Sequence, residues 1–143
     1  MSQILDYLKQ FKGKKGLYLI RVKNIEILKQ ICSKFGYNFN DSDLAYVGKA
    51  EKCLYTRSKQ EMGWANFEAA TFVRKMGIFL EYDIKDKKNK TLKESTRDFI
   101  LDHFTIECVE VKDNVQQEET EYINRLKPCL NVKKIKSILC HTN

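Results

Sequence analysis

The stretch Ala45-Tyr46-Val47-Gly48-Lys49-Ala50 restricts the fold of this chain more than any other. Leu44 to Val47 is a short apolar run of strand type, entered from the turn-prone Asn40-Asp41-Ser42-Asp43. Gly48 follows at once, and a glycine there opens backbone conformations closed to other residues and lets a ligand come close. Glu51 to Glu61 then carries neither proline nor glycine and has a helical rhythm, which predicts strand, glycine and helix in succession. Tyr46 and Lys49, at the mouth of such a turn, put a hydroxyl and an ammonium where an anion can meet them. Gly16-Leu17-Tyr18 opens a second strand, Leu19-Ile20-Arg21-Val22, in a matching way.

The rest of the chain arranges itself around these two strands. Ile4, Leu5, Leu8 and Phe11 predict an amphipathic helix over 2–12, and the first strand covers 16–22. Ile25, Leu28, Ile31, Cys32 and Phe35 predict a helix over 24–35, closed by Gly36. The second strand covers 44–48 and the helix after it 51–62, with Gly63 as its end. Helical spacing continues over 65–81 (Phe67, Ala70, Thr71, Arg74, Ile78), and Lys85–Lys90 is a charged loop, either solvated or touching a DNA backbone. A helix over 91–103, a third strand over 104–111 and a last helix over 114–126 follow. Asp113 or Asn114 caps that last helix and Pro128 stops it. Residues 132–143 read as a basic, loosely held tail or, through Ile135, Ile138 and Leu139, as a short docked helix. With no repeat, linker or low-complexity segment, the expectation is one α+β domain over 1–143, a small sheet covered by helices.

Hydrophobic residues make up 43% and charged residues 31%, the balance of a folded, water-soluble chain. No apolar run reaches the length that crosses a bilayer, and Met1 to Phe11 lacks the basic start and apolar core of a secretion signal, so no membrane is expected. The net charge of +7 favours a polyanionic partner. Cys32, Cys53, Cys108, Cys129 and Cys140 are odd in number, widely spaced and free of any CxxC. That argues against a disulfide framework or zinc site and for reduced thiols, mostly core filler, in a cytoplasmic protein.

The sharpest chemical signal lies in the last helix. Val115, Tyr122, Ile123 and Leu126 define its apolar face, and Glu119 lies on that face while Glu118 and Glu121 point away from its centre. A carboxylate held against a core needs a metal ion or a basic partner, and at the rim a surface lysine would serve. In the helix after Gly48, Arg57 shares a face with Cys53, Leu54 and Glu61, so its guanidinium emerges beside the core stripe or snorkels into solvent. Tyr18 and Tyr46 are either strand aromatics with surface hydroxyls or parts of a site. Taken together, two strand tyrosines, Lys49, Arg57 and Glu119 suit phosphodiester hydrolysis. The cations would offset the charge that builds on phosphorus, and Glu119 would hold Mg²⁺, which needs few protein carboxylates. A free tyrosine, with a pKa of about 10, is a poor base at neutral pH unless a neighbouring cation lowers it.

The order of these residues resembles the GIY-YIG nuclease family over Gly16 to Asn131. Gly16-Leu17-Tyr18 and Tyr46-Val47-Gly48 stand where the naming motifs stand. Tyr46-Val47-Gly48-Lys49-Ala50 is also similar to the nuclease domain of the bacterial excision-repair incision subunit. Arg57 falls at the family's helix arginine. Glu119, with Lys127-Pro128-Cys129-Leu130-Asn131, resembles the metal-binding glutamate and the terminal Pro-x-x-Asn element. Ala70-Thr71-Phe72-Val73-Arg74-Lys75 resembles a stretch found in small stand-alone bacterial members.

The resemblance implies a three-stranded antiparallel sheet flanked by helices and metal-dependent cutting of DNA. Tyr18 would hold or deprotonate the attacking water, with Tyr46 as the general base or its partner. Lys49 and Arg57 would stabilise the transition state, Glu119 would bind one Mg²⁺ or Mn²⁺, and Asn131 would brace the site. Arg74, Lys75 and Lys59 are the expected DNA contacts.

Three departures accompany the likeness. Tyr18 and Tyr46 are 28 positions apart, so Lys23–Ser42 is a helical insertion, which either reads DNA or packs. Glu61 stands where many members carry His or Tyr, and either it or a neighbour such as Tyr55 moves the proton. The segment between the arginine helix and the last helix is long. A non-catalytic DNA- or RNA-binding module on the same fold is the competing reading. A double-strand cut would require a homodimer or sequential nicking.

Overall fold

Six of the seven residues of strand β1 (Gly16–Val22) are buried, a pattern that suits a strand paired on both edges and covered on both faces. In the computed structural model, which describes residues 2–65, 69–81 and 90–132, β1 is the middle of an antiparallel sheet. It lies between β2 (Leu44–Ala50) and β3 (Phe104–Glu110). The α+β architecture with a three-stranded antiparallel sheet is therefore as the sequence implies.

Alternation along β1 divides the core in two. Leu17 and Leu19 face one side, with Leu44 and Val47, and helix α6 (Val115–Leu126) covers them with Val115, Tyr122, Ile123 and Leu126. Tyr18, Ile20 and Val22 face the other side. There they meet Leu8 of α1 (Ser2–Lys9), Leu28 and Ile31 of α2 (Ile25–Phe35), Leu54 of α3 (Leu54–Lys59) and Phe72 of α4 (Thr71–Phe79). Ile100 of α5 (Lys90–His103) completes that side. The helical insertion is thus α2, whose apolar face is buried and whose end is closed by Gly36 in the left-handed region (φ 71°).

Four expectations are corrected. β2 does not end at Gly48 but continues to Ala50. Gly48 is needed for space: a Cβ there would lie 2.2 Å from Tyr18 Cζ and 2.3 Å from its hydroxyl oxygen. The helix expected over 51–62 is α3 followed by a wide π-helical turn, Gln60–Trp64, whose Gly63 takes φ 102°. The helix expected over 65–81 is confined to Thr71–Phe79 among the described residues. Finally, Cys32 and Cys129, 97 positions apart, are joined by a disulfide, so this pair is not a set of reduced thiols. Topology, which spacing along the chain does not report, brings α2 against the segment after α6. Cys108 is buried and free, and Cys53 is free and partly exposed. Most of the Lys85–Lys90 loop and of the 132–143 tail lies outside the described residues. Among the described residues no helix is long and apolar enough to cross a membrane.

A register shift between Ile20 and Arg21 leaves Ala45 unpaired on β2, immediately before Tyr46. Such bulges turn the side chains beside them. Tyr18 lies opposite Gly48 and Ile20 opposite Tyr46, so both tyrosines stand on the same face of the sheet, their ring centroids 6.3 Å apart.

Gly48→Ala should lower stability by about 1–3 kcal/mol in urea unfolding, the usual cost of overpacking. In a Tyr18→Ala background the same change should cost under about 0.5 kcal/mol, because the colliding ring is gone.

Candidate active site

Tyr18, Tyr46, Gly48, Lys49, Glu51, Arg57 and Glu119 line one cleft of about 370 Å³ at the β2 edge of the sheet. Three elements build it: the two paired strands carry the tyrosines, α3 carries Arg57, and α6 carries Glu119. Glu119 is half-buried on the face through which α6 packs.

Glu61 lies behind this lining, in contact with Tyr18. It is fully buried, four residues after Arg57 and inside the π-helical turn, a local irregularity often found at functional sites. One carboxylate oxygen accepts the Tyr18 hydroxyl at 2.7 Å. The other accepts the backbone N–H groups of Phe72 at 2.8 Å and Val73 at 3.3 Å. Those groups belong to the first turn of α4, whose cap residue Ala70 has no side chain to offer them. Glu61 therefore caps α4 from another element and takes up the partial positive charge of its N-terminus.

Burial raises the pKa of Glu61, opposed by the Tyr18 hydrogen bond, the two backbone donors and Arg57. Burial also raises both tyrosines, with the Glu61 carboxylate as the next cause in each case; Arg57 pulls them part of the way back. The side chain of Thr71 hydrogen-bonds Tyr46 and lowers it against that trend. Both phenols are thus protonated at neutral pH. The carboxylate beneath Tyr18 is the group better suited to receive a proton.

The cations are held loosely. Arg57 Nη1 donates to Gln60 Oε1 at 2.8 Å and to the Ala69 carbonyl at 3.2 Å. Lys49 donates to Glu51 at 2.9 Å and to the Gln116 side chain. These partners are neutral or exposed, so both cations can turn to a bound anion at little cost.

Asn131 lies beside the cleft. Its amide accepts from Val47 N–H at 2.9 Å and donates to Val47 C=O at 2.7 Å, so a side chain pairs with the open edge of β2 next to Tyr46. Lys75, an expected DNA contact, is instead fully buried. Its ammonium donates to the carbonyls of Leu130 at 2.8 Å and Val132 at 2.6 Å, on either side of Asn131, and lies over the Tyr37 ring. Burial, then Arg74, pushes it down to about 8. That corrects its assignment: Lys75 fixes the Asn131 segment and has no face left for a phosphate. Lys59 sits over the Tyr55 ring, 4.7 Å from its centroid. Arg74 has its Nε buried, with no hydrogen-bond partner among the described residues. Neither lines the cleft. Sequence pattern does not single out Thr71, Gln116 or Asn124 as site residues. Gln116 stands one helical turn before Glu119, the signal that could have found it.

Among the described residues no three His, Cys, Asp or Glu side chains form a ready metal cage. One hard carboxylate in an open cleft still fits an ion that keeps most of its water and borrows oxygens from a bound phosphate.

The acid whose folded pKa is raised holds its proton to higher pH in the native than in the unfolded chain. Stability therefore falls as pH rises from the ordinary 4.5 towards the raised value. Glu61→Gln removes this loss, so chemical unfolding should show its stability relative to wild type improving from pH 4.5 towards neutrality. A difference independent of pH would mean that Glu61 titrates normally.

A sequence model of the GIY-YIG catalytic domain matches residues 16–142. No match was found among curated proteins or among solved structures.

Proposed function

The chain belongs to the GIY-YIG nuclease superfamily, and we propose that it is an endonuclease that hydrolyses DNA phosphodiesters, with Glu61 as the final proton acceptor. The observation that carries this reading is the 2.7 Å contact with a buried carboxylate made by Tyr18, which lines a cleft together with Arg57, Lys49 and Glu119.

A diester entering the cleft replaces the neutral partners of Arg57 and draws Lys49 from Glu51. Both cations then face the oxygens on which charge grows as phosphorus becomes five-coordinate. Water attacks phosphorus from the Tyr18 side. As the new P–O bond forms and the P–O bond to the leaving deoxyribose oxygen breaks, the water proton moves to the Tyr18 oxygen, the Tyr18 proton moves to Glu61, and the leaving alkoxide takes a proton from solvent. No free phenolate is needed, which answers the difficulty of a tyrosine base whose pKa is raised. Ionised Glu61 is required at the outset, and a raised carboxylate pKa brings its basicity nearer to working pH. Tyr46, bonded by Thr71 and lying near Phe72 (ring centroids 5.9 Å apart), forms the wall that orients the phosphate. Glu119 would hold a divalent cation such as Mg²⁺ or Mn²⁺, which when bound supplies Lewis-acid stabilisation of the phosphoryl oxygens. Each chain carries one such cleft, so a single encounter gives a nick.

Supercoiled plasmid incubated with Mg²⁺ or Mn²⁺ tests the reading. Nicking should appear only with the cation, and Glu119→Ala should slow it by at least about a hundredfold, the equivalent of losing several kcal/mol of charge stabilisation. Equal residual cutting by wild type and Glu119→Ala would overturn it in favour of a binding module without catalysis.

Arg57→Lys should also lose at least about tenfold in kcat, because a compact ammonium cannot present the planar pair of donors to a phosphate. Unchanged kcat in single-turnover cleavage would remove Arg57 from the chemistry.

A further inference from the structure

Two further clefts share lining residues with the cleft of Tyr18, Arg57 and Glu119. One, of about 280 Å³, shares Tyr46 and Glu119 with it. The other, of about 360 Å³, shares Glu51. The chemistry of the two flanks is opposite.

Among the described residues the first flank contains no lysine or arginine, and Glu119 is the only charged group that lines it. Its walls are the hydroxyls of Thr71 and Thr120, the amide of Asn124, the apolar edge of Ile123 and the Tyr46 ring. Among the described residues the Asn124 amide has no hydrogen-bond partner, whereas the neighbouring Asn131 amide is committed to Val47. An amide with both donor and acceptor available, beside an aromatic and an aliphatic surface, is a surface for a base edge and a base face.

The second flank carries Lys14, Lys15, Lys52 and Lys112 against two glutamates, Glu51 and Glu110. All four lysines are exposed, and among the described residues none is in a salt bridge. The loop carrying two of them is fixed. Lys14 C=O accepts from Leu54 N–H at 2.7 Å, Lys15 C=O accepts from Val111 N–H at 3.0 Å, and Gly13 N–H reaches Cys53 Sγ. The lysines therefore stand on a preset cradle between the start of α3 and the end of β3, suited to successive phosphates.

Resting on the nuclease reading above, we infer that one DNA strand crosses all three clefts. The nucleoside on one side of the cut phosphate is unstacked into the Asn124 cleft, and the phosphates on the other side lie along the Lys14–Lys15–Lys112 cradle. A base can leave the stack cheaply only where pairing is already interrupted. The substrate is therefore DNA with a bulge, a flap or a splayed junction, in preference to a continuous duplex.

Binding of the full-length chain to fluorescein-labelled hairpin DNA, with and without a two-nucleotide bulge, tests this by anisotropy in EDTA, where no cutting interferes. Wild type should bind the bulged hairpin about tenfold more tightly, the discrimination of one good base contact. Asn124→Ala should erase that preference. Lys14→Glu combined with Lys15→Glu and Lys112→Glu should weaken both hairpins alike, and should flatten the plot of log affinity against log salt by about one unit for each phosphate that is no longer neutralised. A bulge preference that survives Asn124→Ala, equal affinity of wild type for the two hairpins, or an unaltered salt slope in the triple variant overturns the path. If the affinities move as expected but wild type with Mg²⁺ or Mn²⁺ cuts neither hairpin, the nuclease reading fails and the strand path stands.

Discussion

A carboxylate with no access to water holds this site together. Glu61 is surrounded by core, and an ion there is tolerated only because three donors converge on it: the Tyr18 hydroxyl and the N–H groups of Phe72 and Val73. The three donors answer two requirements of the fold. Tyr18 comes from the central strand and can lie where it does because residue 48, opposite it, has no side chain. Phe72 and Val73 come from a helix start that has no cap of its own. The π-helical turn brings Glu61 between them. Strand, helix and turn thus fix one another through a single side chain, and the same contact can carry a proton away from the reacting water.

The edge of β2 is secured separately. Edge strands leave backbone groups unpaired, and here Asn131 takes both groups of Val47 while the buried ammonium of Lys75 holds the carbonyls on either side of Asn131. The Cys32–Cys129 disulfide ties the same segment to α2. Tyr46, one residue before Val47, is positioned between the Ala45 bulge and this clamp. The insertion that separates the two strand signatures thus braces the β2 edge through this disulfide.

Much of this is legible in the sequence because the elements obey simple periods. Val115, Tyr122, Ile123 and Leu126 mark the face of α6 that packs, and Glu119 falls on it for the same reason. Gly36 closes α2 where a left-handed residue is needed. What the sequence hides is long-range. Gly48 reads as a place for a ligand to approach, and only the pairing register shows that the approaching group is Tyr18. Lys75 reads as a surface cation beside Arg74, although its spacing from Phe72 and Met76 puts it on the buried face of α4. Glu61 reads as a departure from a pattern, and its role emerges only when Tyr18 and the start of α4 are seen to meet it. The lysine cradle combines residues from three distant stretches, so no local motif announces it.

If Tyr18 and Glu61 act as one proton-accepting unit, their contributions to kcat are not independent, and a double-mutant cycle measures this. Tyr18→Phe, Glu61→Gln and the combination would be compared with wild type in single-turnover DNA cleavage. Removing either member of a relay disables the whole relay, so each single variant should lose about 10²–10⁴-fold and the double variant should lose no more than the worse single. Losses that multiply in the double variant would mean that the two side chains act independently and that no relay joins them.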